Sequence, residues 1–154
     1  MANLEERIQR LEEIEAIRRL KQSYARIADR RGSGAEIAAL FTEDGVSDDG
    51  DFGKNQGREA IAAFFDAVKP KLPFFLHYML GDIIDIDPSG TEATGTWYLW
   101  EPATLNGQAV WIGATFNDRY KKVNGEWKFA LFGAKIHFIT PYDQGWVKQP
   151  FPEA

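Results

Sequence analysis

Residues 108–139, QAVWIGATFNDRYKKVNGEWKFALFGAKIHFI, alternate apolar and polar side chains on both sides of Asn124-Gly125. A period of two belongs to a strand with one buried face, and Asn-Gly is the pair best suited to the two positive φ angles of a tight hairpin. The stretch therefore predicts two long antiparallel strands, Gln108–Lys122 and Glu126–Ile139. Reading back, Asn106-Gly107 joins Gln108 to a strand at Thr91–Ala103, and Asp87-Pro88-Ser89-Gly90 joins that to one at Phe74–Asp87. Four consecutive strands with short connections make an antiparallel meander. Strands of this length bend as they twist, which gives the sheet a concave face.

Before Pro73 the period is different. Leu4, Ile8, Leu11, Ile14, Ile17, Leu20, Tyr24 and Ile27 recur every three or four residues, the stripe of one long helix that ends near Gly32. Ser33 and Glu36 have capping-box spacing and start a short helix, Ala35 to Phe41. Ile61, Phe64, Phe65 and Val68 mark a third helix, from about Arg58 to Pro70. Between them Thr42–Gly57 is rich in Asp and Gly and reads as loop with a brief strand near Val46. Its acidic residues miss the spacing of an EF-hand calcium loop, so no metal site is assigned. Three N-terminal helices laid on the sheet give an α+β fold. No repeat, linker or low-complexity tract divides the chain, so residues 1–154 are read as one domain.

Composition narrows the partners. A net charge of −5 with scattered Lys and Arg leaves no basic stripe for nucleic acid or an anionic membrane. Cysteine is absent, which excludes disulfides, thiolate zinc sites and a cysteine nucleophile. No apolar signal core opens the chain and no apolar run is long enough to span a bilayer, so a cytoplasmic protein is expected. Twenty-one aromatic residues suit an apolar cavity for a small hydrophobic ligand. Trp97, Trp100, Trp111 and Phe116, on the central strands, are the expected lining.

Only two histidines exist, and His77 lies in the apolar run Phe74–Leu80 with its side chain directed inward. A buried imidazole needs a partner for its N–H, and a carboxylate there leaves the second ring nitrogen a better base. Asp29, in the last turn of the first helix where an anion is disfavoured, is the candidate. Its other reading is a surface pair with Arg26 or Arg30. Tyr24, on the buried stripe of that helix, adds a phenol. Alternation from Trp127 and Phe129 sets Gly133, Lys135 and His137 on one face unless a bulge reverses it. Either cation could then face the cavity; otherwise Lys135 reaches water and His137 packs under the tail. Glu101, at a strand end, is expected to be exposed. Tyr142, Trp146 and Phe151 are too apolar for a free terminus, so residues 140–154 are expected to act as a lid or a subunit contact.

These residues resemble a family. Tyr24, Asp29 and His77, together with Ile37–Val46, Gly57–Ile61, Asn117–Tyr120 and Gly125–Phe129, are similar to the SnoaL-like branch of the nuclear-transport-factor-two-like proteins over roughly residues 8–140. The resemblance implies a cone-like curved sheet with three helices closing a hydrophobic pocket, assembled as a dimer or trimer. Bile-acid dehydratase, scytalone dehydratase and hexachlorocyclohexane dehydrochlorinase are members, and they imply a cofactor-free lyase in which Asp29 and His77 abstract a proton from a hydrophobic cyclic or polycyclic substrate and Tyr24 assists. A ketosteroid-type isomerase, or a noncatalytic binding or assembly protein of the same fold, is the alternative. Related lyases often carry a cavity-facing arginine on the last strand; the aligned position here is Gly133.

Overall fold

The computed structural model describes residues 3–152. Helix α1 (Leu4–Asp29) opens with a capping box between Asn3 and Glu6 and runs for about 39 Å. Its apolar stripe is only half used. Ile17, Leu20 and Tyr24 are buried against the sheet, whereas Leu4, Ile8 and Leu11 remain exposed on the overhanging first turns. Helix α2 (Gly34–Ala38) has the Ser33–Glu36 capping box, and α3 (Arg58–Val68) buries Ile61 and Phe65. Gly34 is required where α2 crosses α3, because a Cβ there would lie 2.0 Å from the carbonyl oxygen of Ala62.

The sheet has seven strands: β1 (Phe41–Asp48), β2 (Lys54–Gln56), β3 (Phe74–Phe75), β4 (Tyr78–Ile86), β5 (Glu92–Leu105), β6 (Gln108–Val123) and β7 (Glu126–Pro141). They lie in the order β2-β1-β7-β6-β5-β3, with β4 also paired to β5, and the sheet curls around α1. Both Asn-Gly hairpins form, with φ near 50° at Asn106 and Asn124 and 82° at the glycine that follows each. The α+β class and the meander are as expected. Two strands more than a meander are present in Thr42–Gly57: β1 runs parallel to β7, with Val46 opposite Leu131, and β2 turns back on it. The brief strand expected near Val46 is β1, longer than the Asp- and Gly-rich sequence suggests because pairing with the edge of β7 rather than side-chain propensity extends it.

Two bulges in β7 correct the expected facing of its side chains. Tyr120 is opposite Phe129 but Arg119 is opposite Leu131, so Ala130 is extra and the inward set switches from Trp127 and Phe129 to Phe132, Ala134 and Ile136. Lys135 and His137 consequently lie on the outer face and are exposed. His137 Nε2 lies 2.7 Å from Thr115 Oγ1 there. A second bulge, between Gly113 and Ala114, restores the first parity, and Ile139 is buried.

The core lies between α1 and the inner face of the sheet, around Ile17, Phe41, Trp97, Tyr120, Phe129 and Phe132. The tail covers part of the outer face. Tyr142 donates its N–H to Ala109, a single helical turn α4 (Gly145–Lys148) follows, and Trp146 stacks on Phe138 at 5.3 Å. No helix among the described residues is long and apolar enough to cross a membrane.

Candidate functional site

The register between β3 and β5, with Phe75 opposite Ala103, runs on unchanged to Tyr78 opposite Trp100 in β4. Leu76 therefore faces Pro102, and His77 faces Glu101. Leu76 donates its N–H to the Pro102 carbonyl at 3.1 Å, but proline has no N–H to return, and regular pairing lapses. His77 occupies the next, non-hydrogen-bonded position. Such a residue turns its N–H away from the neighbouring strand and brings its side chain close to the one opposite.

Asp29 is the last residue of α1 and takes both groups that His77 presents. One oxygen, Oδ1, accepts the backbone N–H of His77 at 3.0 Å and lies 2.7 Å from ring Nδ1. A carboxylate only accepts, so Nδ1 carries the hydrogen and Nε2 is left with the lone pair. The surface alternative is not adopted: Arg30 pairs with Glu36 instead, and Arg26 is exposed. Arg31, in the left-handed conformation just beyond the helix (φ 60°), donates to the carbonyls of Lys69 and Leu72, which ties the end of α1 to the end of α3.

Tyr24, buried one turn and a half earlier on α1, sets its hydroxyl 3.4 Å from His77 Nε2, and the two rings meet edge to face. The three residues expected to cooperate are thus side by side. Burial first, then the nearby carboxylates of Asp49, Glu101 and Asp29, push the Tyr24 phenol well above its ordinary range, so it remains a hydrogen-bond donor.

A cavity of about 110 Å³ opens beside them, with Ile37, Phe65, Leu72, Phe75, Phe116 and Ile136 in its apolar wall. Tyr24, His77, Glu101 and Asp49 face it as polar groups. Glu101 corrects the exposed reading. Strand β5 continues to Leu105, Glu101 shares the inward face with Leu99 and Ala103, and its side chain is only 8% exposed, with Oε2 3.8 Å from His77 Nε2. Burial raises its carboxyl above the ordinary range, the His77 charge opposes this and Asp29 adds to it. Asp49 lies between β1 and a 3₁₀ turn, Gly50–Phe52, and accepts from Ser47 Oγ at 2.6 Å. Burial pushes it up to about 7 against the Ser47 hydrogen bond and the Lys21 charge. Nothing in the local sequence separates Asp49 from the acidic residues around it.

Of the expected lining only Phe116 reaches the cavity. Trp97 belongs to the core, donating Nε1–H to Tyr120 at 3.0 Å. Trp100 and Trp111 stack on each other at 5.2 Å on the outer face, against Trp146 and Tyr142 of the tail, and Lys135 and His137 lie on that face too. Even-numbered residues of β6 and odd-numbered residues of β5 point inward, which excludes Trp100 and Trp111 by parity. Residues 140–152 contribute nothing to the cavity wall. Among the described residues no cluster of three His, Cys, Asp or Glu side chains is placed to hold a metal ion.

A family model described as the SnoaL-like domain matches residues 9–132. The fold is similar to that of LinA (23% identity, TM-score 0.80, covering 87% of this chain and 92% of LinA). It is similar also to hexachlorocyclohexane dehydrochlorinase LinA-type3 from Novosphingobium barchaimii LL02 (22%, 0.78, 87% and 92%). A provisionally assigned scytalone dehydratase from Novosphingobium aromaticivorans DSM 12444 matches at 24% identity and a TM-score of 0.78, over 94% of this chain and 97% of that one.

Proposed function

The chain belongs to the SnoaL-like family, and we propose that within it the protein is a cofactor-independent lyase that eliminates water from a neutral, hydrophobic cyclic β-hydroxy ketone. The observation that carries this reading is the single Asp29 oxygen bonded to both the backbone N–H and ring Nδ1 of His77, which leaves Nε2 to the cavity that His77 lines beside Tyr24. A base so oriented can take a proton from the carbon next to a carbonyl.

In the proposed step Nε2 takes that proton, the C–H pair moves into the carbon–carbon bond, and the carbonyl oxygen becomes an enolate. Asp29 steadies the imidazolium. The Tyr24 hydroxyl, which donates to Nε2 while that nitrogen is unprotonated, is freed when Nε2 gains the proton and can donate to the enolate. The enolate pair then returns and expels the β-oxygen. General base catalysis contributes about 10²–10⁴-fold, and one oxyanion donor about 10²–10³-fold. The fold relationship to dehydrochlorinase and dehydratase structures supports an elimination.

The test uses β-hydroxycyclohexanone, with cyclohexenone formation followed by absorbance and exchange of the α-hydrogens followed in D2O. Asp29→Asn and His77→Gln are expected to lower both rates by roughly 10²-fold or more. Folded variants that keep the wild-type rates overturn the reading.

A further inference from the structure

The cavity holds a carboxyl that proton abstraction does not use. Resting on the elimination reading, we propose that Glu101 is the general acid of the same site: it protonates the departing hydroxyl and afterwards recovers its proton from His77.

Three observations carry this. The unbroken register makes Glu101 the cross-strand partner of His77 at a non-hydrogen-bonded position, which brings Oε2 to 3.8 Å from Nε2, so acid and base reach the same small volume. Among the described residues no Lys or Arg is paired with Glu101 to keep it ionised while His77 is neutral. Lys21 is bonded to Asp118, Lys69 to Asp66, and the Arg31 guanidinium to two carbonyls. A carboxylate 8% exposed without a compensating charge is costly, so the group holds its proton and presents an O–H to the cavity. The third observation is the competing donor. Tyr24, raised well above the ordinary phenol range, is far the weaker acid of the two, suited to stabilising an enolate by hydrogen bonding rather than to giving a proton away. Asp49 is the other acid in the wall, but its Oδ2 is held by Ser47 and the carboxyl oxygen 3.8 Å from His77 Nε2 belongs to Glu101.

The step balances within the site. His77 gains the substrate's α-proton. The enolate pair re-forms the carbonyl and makes the new carbon–carbon double bond, and the carbon–oxygen bond breaks with its pair on oxygen. That oxygen takes the Glu101 proton and leaves as water. Imidazolium and carboxylate then stand 3.8 Å apart, and transfer of one proton between them, directly or through one water, restores both groups without drawing on bulk solvent.

The leaving group distinguishes this role from a structural one. Hydroxide needs a proton to depart and acetate does not, so β-hydroxycyclohexanone and β-acetoxycyclohexanone respond differently to the loss of an acid. Glu101→Gln is expected to lower the ratio of the hydroxy to the acetoxy rate by about 10²-fold. In the wild type the infrared C=O stretch of a protonated carboxylic acid, lost in Glu101→Gln, is expected at neutral pH. Equal loss on both substrates, or a Glu101 already ionised at neutral pH, overturns the proposal. Should the wild type neither exchange α-hydrogens nor eliminate from either probe, the lyase reading fails first and takes this one with it; exchange with an unchanged ratio in Glu101→Gln sinks this one alone.

Discussion

The pair of charges deepest in the protein lies outside the cavity. Lys21 and Asp118 are 2.7 Å apart with side chains 0% exposed, and Asp118 also accepts from the Tyr120 hydroxyl at 2.9 Å. The Lys21 ammonium lies 3.6 Å from the centre of the Phe116 ring and 4.1 Å from that of Phe132. Burial still pulls Lys21 down to about 8 against the pull of Asp118. Removing one partner strands the other, so Lys21→Met is expected to destabilise by about 3–5 kcal/mol in denaturant unfolding. The double variant Lys21→Met/Asp118→Leu is expected to recover much of that loss. Asp49 makes an opposite contribution. Its carboxyl is pushed up to about 7 in the folded chain, whereas the unfolded group ionises near 3.8. The folded state thus binds more protons across that window, and stability falls as pH rises through it, with the full penalty present above about 7. Asp49→Asn, which cannot ionise, is expected to flatten this slope and to gain on the order of 1–3 kcal/mol relative to the wild type at the alkaline end. A pH series of thermal or urea melts reads it.

At the level of elements, the helix stripe, both Asn-Gly hairpins and the capping box at Ser33 were legible because each is set by neighbours in the chain. Tyr24, Asp29 and His77 were legible as a group through a resemblance; helix spacing alone favoured a surface ion pair for Asp29. What escaped depends on partners distant in sequence. Ala130 bulges where β7 also carries β1 on its other edge, and that one residue turned Ala134 and Ile136 inward and Lys135 and His137 out. The break before His77 comes from Pro102, twenty-five residues on, and the carboxylate that fills it comes from the end of α1. Glu101 was hidden by a strand two residues longer than its alternation suggests. The α2–α3 crossing is equally nonlocal. Gly34→Ala sets a Cβ against the backbone of Ala62 and is expected to cost about 1–3 kcal/mol. Because α3 supplies Phe64, Phe65 and Val68 to the cavity, the same variant is expected to raise KM for β-hydroxycyclohexanone more than it lowers kcat.

Across the whole molecule, charge and volume together restrict what the cavity can accept. Its polar groups are a phenol, an imidazole and two carboxyls, and the cations at its rim are engaged elsewhere: Lys69 with Asp66, and Arg31 with the carbonyls of Lys69 and Leu72. An anion entering would lose its hydration and meet two carboxyls and a phenol, with the rim cations already hydrogen-bonded to other groups, at a cost of several kcal/mol. Among the described residues no last-strand cation offsets this, because Ala134 and Ile136 take the inward positions of β7 beside the cavity and Lys135 faces solvent on the outer side. A volume of about 110 Å³ holds one ring, and any further ring would extend outside it. Cyclohexenone is therefore expected to raise the melting temperature in a thermal-shift titration, by mass action on the folded state, whereas the matched carboxylate, 3-oxocyclohexanecarboxylate, is expected to leave it unchanged. Replacing Glu101 by Gln supplies no cation and should not admit the carboxylate, while Ala134→Arg, which puts a cation on the inward face of β7, should. Equal shifts from the ketone and its carboxylate in the wild type would mean that the rim cations are free to pair with a ligand after all.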